Sequence, residues 1–229
     1  MALILHLETA SPVCSVALSR NGQIAGIRET DEDKSHATRL TLLIAEILEE
    51  NNLTAAGLDA ISLSLGPGSY TGLRIGTSVA KGLAYATGKP LIGLPTLQIL
   101  ASGFRAAHPD TEGLLCPMLD ARRMEVYTSL YTTGLEEVLP VEAHILEPGS
   151  FREFLDSGLV WFFGSGSDKS RGIIDHPNAR HGGAFPLSAS FQATLAEEAF
   201  GQKQFLDTAY FEPHYLKEFI ASIPKNKVL

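Results

Sequence analysis

The chain has 229 residues, of which 45% are apolar, enough for one large domain or two small lobes. Its formal net charge of −8 argues against nucleic-acid binding by the chain alone, which needs a basic field that displaces phosphate counterions. No apolar run reaches the roughly 18 residues of a membrane span, and no signal peptide is recognisable. Cys14 and Cys116 form no metal-binding spacing, so we expect a reduced cytoplasmic protein without membrane association.

The first half is predicted to open as an antiparallel meander and to continue as alternating helices and strands. Asn21-Gly22 is a hairpin signal, and the apolar residues of the first helix recur at steps of three and four along one face. The predicted strands cover residues 2–7, 14–18, 23–29, 59–65 and 90–93. The predicted helices cover residues 35–50, 71–86 and 96–107.

The second half repeats this order of elements, without a visible sequence repeat, after a loop at residues 107–110. The pattern indicates two related α/β lobes with mixed sheets, at residues 1–107 and, more divergent, at residues 108–229. The predicted strands of the second lobe cover residues 114–119, 124–131, 138–142 and 159–163. Its predicted helices cover residues 151–156 and 188–200.

The most informative stretch, residues 65–90, reads LGPGSYTGLRIGTSVAKGLAYATGKP. A tight Gly66-Pro67-Gly68 turn precedes a helix whose free N–H groups can hold an anion. Along that helix Gly72, Gly76 and Ala80 lie four residues apart on one side, which permits another backbone to approach closely. The loop alone leaves both phosphate binding and close packing open, and it favours packing.

This stretch resembles the TsaB (YeaZ) family and, more distantly, its catalytic paralogue TsaD, the threonylcarbamoyl transferase subunit. Similarity continues in the segments ILHLETASPVCSVAL, SHATRL, LDARRMEVY and HYLKEF. It covers residues 1–131 well and the remainder loosely. The resemblance implies the two-lobed, ribonuclease H-like α/β fold of actin, sugar kinases and Hsp70, with mixed sheets.

The resemblance also implies a non-catalytic scaffold and activator subunit of the complex that forms N6-threonylcarbamoyladenosine (t6A) at position 37 of tRNA. The implied partners are a TsaD-type catalytic subunit and a small TsaE-type ATPase, with a homodimer in isolation and tRNA contacted only through the complex. In the family, the first two helices of the N-terminal lobe pair with their equivalents in the partner. The outward-facing residues expected at this interface are Thr38, Leu42, Ala45, Arg74, Ser78, Lys81 and Tyr85, with Thr77 on the same face.

Proteins of this fold hold ATP between the lobes, beside an acidic residue that follows the first strand. The resemblance therefore places a nucleotide site at Glu8, Thr9, Gly66 and Gly68. The family more often has aspartate at the position of Glu8, so we expect no tightly bound cofactor, with ATP bound only weakly or within the complex. The glycine-rich turn at residues 164–166 either contacts an adenosine or is an ordinary turn, and we favour the turn.

The catalytic paralogue holds a metal on two histidines one helical turn apart, where this chain has Thr96 and Leu100, so no metal site is expected. His176 and His181 fall in a segment predicted to be a surface loop. Because the glycine-rich stretch matches neither a nucleophile elbow nor a P-loop, no catalytic residue is expected. The alternatives are an independent ATP-dependent enzyme of the kinase or ATPase type and a metallopeptidase-like hydrolase.

Overall fold

The computed structural model describes residues 2–30 and 36–216, which form two five-stranded mixed sheets with five α-helices. The strands of the first sheet are β1 (Leu3–Glu8), β2 (Cys14–Arg20), β3 (Gln23–Thr30), β4 (Ala60–Ser64) and β5 (Leu91–Leu94). Those of the second sheet are β6 (Leu114–Asp120), β7 (Glu125–Tyr131), β8 (Glu137–Ile145), β9 (Val160–Phe163) and β10 (Ala179–Gly183). The helices are α1 (His36–Glu50), α2 (Tyr70–Thr87), α3 (Thr96–Ala107), α4 (Arg152–Ser157) and α5 (Ala193–Gly201).

The two sheets share one topology. The first has the order β3-β2-β1-β4-β5, and the second, reversed, has the equivalent order β8-β7-β6-β9-β10. In each sheet the first three strands pair antiparallel and the last two are parallel additions. The repeated order of elements in the sequence therefore corresponds to a repeated sheet.

The first sheet is covered on both faces. Leu5 and Leu7 of β1 pack with the apolar stripe of α1, whereas Ile4 joins a core that includes α3 and α5. This second core continues into the other sheet through Phe163 of β9. Helix α5 thus belongs to the second half of the sequence but packs on the first sheet. No helix within residues 2–30 and 36–216 combines the length and apolarity needed to cross a bilayer.

Two sequence predictions in the second half need correction. Part of the predicted loop around His181 is strand β10. Its residues lack the apolar alternation of a strand, and the strand forms because it pairs in parallel with β9. The predicted helix at residues 188–200 begins as a short 3-10 turn at Ala189–Gln192, capped by the Ser188 hydroxyl, and becomes α-helical at Ala193.

Helix α2 packs unusually closely on the chain that follows β1. A Cβ at Gly72 would overlap the carbonyl oxygen of Thr9, and one at Gly76 would overlap its Oγ1. The Thr9 hydroxyl donates to the carbonyl of Gly72 at 2.8 Å. Close packing, the favoured interpretation of the glycine row, is confirmed, and it fixes the start of α2 against the end of β1.

Replacement of Gly72 by Ala should destabilise the fold by about 3 kcal/mol, because the added methyl must displace the Thr9 backbone. Gly82→Ala is the matched control on the same helix, since its Cβ would meet nothing within 4 Å. It should stabilise the chain by up to about 1 kcal/mol through helix propensity. Urea denaturation of both variants measures the difference, and equal effects would contradict the close contact.

Candidate functional site

The four residues predicted to hold a nucleotide lie together at the end of β1. Glu8 is the last residue of β1, and Thr9 lies beneath α2. The turn that contains Gly66 and Gly68 follows β4, the parallel neighbour of β1, and Ser69 N donates to Ala10 O at 2.8 Å. The fold therefore brings these four residues close together. Their surrounding contacts decide whether a ligand has room there.

The Glu8 carboxylate is fully buried, with 0% exposure, and its hydrogen bonds stay within the chain. Its Oε1 accepts from Ala10 N at 2.8 Å and from Ser64 Oγ at 2.7 Å. Its Oε2 lies 3.5 Å from Gln192 Nε2. Burial raises the pKa of Glu8 to about 7, and the hydrogen bonds from Ala10 and Ser64 oppose that rise.

Gln192, from the 3-10 turn before α5, closes the space beside Glu8. Its Nε2 donates to Leu7 O at 2.9 Å, and its Oε1 accepts from Ser62 Oγ at 2.6 Å. Ser62 Oγ also lies 2.6 Å from His6 Nδ1, and His6 Nε2 lies 2.7 Å from Ser19 Oγ. Burial lowers the pKa of His6 to about 3, so this imidazole is neutral. The side chains form a continuous buried polar network from Ser19 to Glu8.

The glycine turn is likewise packed against its own chain. A Cβ at Gly66 would lie 2.5 Å from the carbonyl oxygen of His214, and one at Gly68 would lie 2.6 Å from Ala10 Cβ. His214 N donates to Leu65 O at 2.7 Å, which fixes this covering segment. In this arrangement the residues around Glu8 do not fit a bound nucleotide. The nucleotide role of Glu8, Thr9, Gly66 and Gly68 stays a prediction, and the geometry argues against it.

The positions that match the paralogue's metal ligands have structural contacts here. Thr96 Oγ1 accepts from Gly66 N at 3.0 Å, and Leu100 is buried in the core. Within residues 2–30 and 36–216, no three His, Cys, Asp or Glu side chains are grouped so that they could share a metal ion. Cys14 and Cys116 are buried free thiols.

A carboxylate and a histidine near the end of β8 form a hydrogen-bonded chain with a serine that follows the strand. Ser150 Oγ lies 2.9 Å from His144 Nε2, and His144 Nδ1 lies 2.8 Å from Glu142 Oε1, the order found in hydrolytic triads. However, Ser150 is only 6% exposed, and its hydroxyl accepts from Glu147 N at 3.1 Å. Ser150 N also donates to Glu147 O at 3.0 Å. The hydroxyl closes the turn between β8 and α4, so we assign the cluster a structural role.

The outer faces of α1 and α2 form the surface predicted to bind a partner. Leu42 is 50% exposed and Tyr85 is 88% exposed. Thr38, Ala45, Arg74 and Ser78 are also exposed. The outward orientation predicted for Thr77 is wrong, because the glycine contacts draw α2 so close to the sheet that the neighbouring row, Thr77 included, is buried too.

Residues 204–216, a segment that the sequence predictions did not place, return to the first sheet and to α2. Lys81 is half-buried because its Nζ donates to Ala209 O at 3.2 Å and lies 4.5 Å from the ring centroid of Phe211. Tyr215 packs on Tyr70, the first residue of α2, with 4.9 Å between ring centroids. The signal for this segment was the similarity of HYLKEF, whose last three residues lie outside the described ones.

Comparison with known proteins agrees with this fold. Residues 14–147 match the family model described as "TsaD: tRNA N6-adenosine threonylcarbamoyltransferase". The chain belongs to the TsaB (YeaZ) family. The "tRNA threonylcarbamoyladenosine biosynthesis protein TsaB" of Bacillus subtilis (strain 168) is 36% identical over 60% of this chain and 59% of its own length, less than two thirds. The protein of the same name from Escherichia coli (strain K12) is 28% identical over 95% of this chain and 96% of its own length.

Solved structures place the family in its fold class. A Pseudomonas aeruginosa protein described as similar to the peptidase YEAZ has a TM-score of 0.84 and 26% identity, covering 95% of this chain and all of that chain. A polyphosphate/ATP-glucomannokinase from Arthrobacter sp. strain KM has a TM-score of 0.50 and 12% identity, covering 88% of this chain and 100% of that chain, which shows the fold alone. The predicted actin-like and sugar-kinase-like fold is confirmed.

The buried carboxyl group predicts a specific pH dependence. An unfolded Glu8 releases its proton near its ordinary pKa of 4.5, whereas the folded chain retains it to about 7, so the free energy of unfolding falls as the pH rises through this window. Glu8→Gln removes that loss. The stability of the variant relative to the unmodified chain should therefore increase by about 3 kcal/mol between pH 4.5 and pH 7.

Urea denaturation at both pH values measures this difference. His6 and the other titratable groups are present in both proteins, so their contributions to the free energy of unfolding cancel. Gly82→Ala, which changes no titratable group, is the control and should give a difference that is independent of pH. A flat difference for Glu8→Gln as well would show that the carboxyl group is hydrated in solution.

Proposed function

We propose that this chain is a non-catalytic subunit of the complex that forms t6A at position 37 of tRNA. In this role it binds and activates a TsaD-type catalytic subunit through the outer faces of α1 and α2. The observation that carries the proposal is the contrast between the filled space at Glu8 and the exposed face that includes Leu42 and Tyr85. The names of the Bacillus and Escherichia relatives supply the pathway.

The remaining partners follow from the same role. A small TsaE-type ATPase completes the complex, and the isolated chain pairs with a second copy through the same helices, since self-complementary patches associate about a two-fold axis. Because the net charge of −8 repels the phosphates of tRNA, the chain contacts tRNA only through the complex. The complex acts in the cytoplasm. An independent kinase or ATPase would need an accessible Glu8, and a metallopeptidase-like hydrolase would need ligands that Thr96 and Leu100 do not supply.

Co-expression with the TsaD-type subunit of the same organism tests the proposal. A tagged TsaD-type subunit should retain this chain through gel filtration as a stable complex. The complex with the TsaE-type ATPase should form t6A on tRNA, and omission of this chain should abolish the product. Full activity without this chain would refute the proposed role.

Leu42→Glu should abolish both self-association and binding to the TsaD-type subunit while the thermal midpoint stays within a few degrees. The side chain is 50% exposed and lies outside the buried stripe of α1, so the substitution places a charge in the contact and not in the core. Val138→Glu, at a 42% exposed position of β8, is the matched control and should bind normally. Gel filtration and thermal denaturation measure both effects.

ATP with Mg²⁺ should bind the isolated chain with a dissociation constant of about 1 mM or weaker, because the carboxylate that would face the nucleotide is hydrogen-bonded to Ala10 and Ser64. Isothermal titration calorimetry measures this affinity. A low micromolar constant would contradict the closed arrangement around Glu8.

A further inference from the structure

A groove of about 560 Å³ lies on the outer surface between the start of α1 and the N-terminal half of α2. Ala37, Ile75 and Val79 give it apolar walls, and Arg74 supplies its one cation among the described residues. None of the described side chains that line it is acidic. Ile75 and Val79 also pack against the core between the first sheet and α1, so these walls belong to the folded framework.

The Arg74 guanidinium is held in place by two tyrosines. Its Nη1 donates to Tyr70 Oη at 3.2 Å, and its carbon Cζ lies 5.3 Å from the centroid of that ring. Tyr215 packs on the Tyr70 ring with 4.9 Å between centroids. Neighbouring His214 is bonded to Leu65 through its backbone, which ties the segment to the end of β4. We call Tyr215, Tyr70 and Arg74 the arginine ladder.

The Arg74 guanidinium of the arginine ladder contacts an uncharged ring and hydroxyl. Within the described residues no carboxylate forms a salt bridge with Arg74. A guanidinium that stacks on an aromatic ring and makes one hydrogen bond keeps most of its five N–H donors, which match a carboxylate in a planar, bidentate pair. Because the tyrosines already restrict the side chain, little of its conformational entropy remains to be lost on binding.

We propose that the groove receives a helix of the TsaD-type subunit that inserts an apolar side chain between α1 and α2 and sets a carboxylate against Arg74. The occupant is chosen by complementarity, since apolar walls beside a cation that has no ion pair among the described residues select an apolar anchor flanked by an acidic residue. Tyr215 is a positioning residue that acts through Tyr70. The inference rests on the proposed function, because that function supplies the partner.

Affinity measurements on the full chain test the charge and its positioning. Arg74→Glu should weaken binding to the TsaD-type subunit about 100-fold or more, and Tyr215→Ala should weaken it about 10-fold. Tyr215→Phe keeps the ring and should bind within about twofold of the unmodified chain, a rescue that a purely electrostatic role of the hydroxyl would not give. Arg152→Glu, an exposed charge reversal on α4, is the control and should leave the affinity unchanged.

Cross-linking identifies the opposing group directly. Arg74→Lys keeps the positive charge and supplies an amine that a carbodiimide joins to a carboxylate in contact with it. Mass spectrometry of the complex should show a new link from position 74 to an Asp or Glu on an apolar-anchored helix of the partner. Tyr215→Ala in the same background should lower the yield of that link, because the amine is no longer held at the groove.

The outcomes separate the two proposals. If the unmodified chain does not bind the TsaD-type subunit, both proposals fail. If it binds and Arg74→Glu binds equally well, or if no link forms at position 74, this inference alone fails. If Arg74→Glu abolishes self-association but not partner binding, the groove holds a second copy of the chain and the assigned occupant is wrong.

Discussion

The side-chain amide of Gln192 is the contact on which the closed centre of the molecule depends. Gln192 belongs to the second half of the sequence, but its side chain bonds to the first sheet. Its Nε2 donates to Leu7 O at 2.9 Å, and its Oε1 accepts from Ser62 Oγ at 2.6 Å. A buried polar group that loses its partner costs about 1 to 3 kcal/mol, and Gln192 meets several such groups at once. The network therefore fixes the turn before α5 on the first sheet and leaves Glu8 out of contact with solvent.

This closure explains how the chain keeps the architecture of sugar kinases without an open site at the end of β1. The carboxylate of Glu8, the last residue of β1, accepts hydrogen bonds from Ala10, Ser64 and Gln192, all from the same chain. The likeness to a glucomannokinase, at 12% identity, shows the fold and does not by itself assign an activity. The surface that remains accessible for binding includes the outer faces of α1 and α2.

The sequence predicted most of the secondary structure because its apolar residues follow the strand and helix periods closely, as in α1 and α3. It did not predict β10, whose Arg, His and Gly residues become a strand only through pairing with β9. The four positions predicted to hold a nucleotide lie together in the structure, but the residue that fills the space beside them, Gln192, is 184 positions from Glu8 and carries no local signal. The ladder partner Tyr215 was likewise unrecognisable, since an exposed tyrosine near a terminus is ordinary.

The closed centre and the exposed face are mechanically connected through two adjacent residues. Glu8 is hydrogen-bonded into the buried network, and Thr9, its neighbour, lies directly beneath Gly72 and Gly76 of α2. Any opening at Glu8 that moved Thr9 would press its carbonyl into a helix with no room to yield, so α2 and the strand end must move as one body. A helix held in this way presents Arg74 in one position relative to the sheet. The contacts that fill the space at Glu8 thus also fix α2 on the sheet, and a surface fixed in this way loses little conformational entropy if it binds a partner.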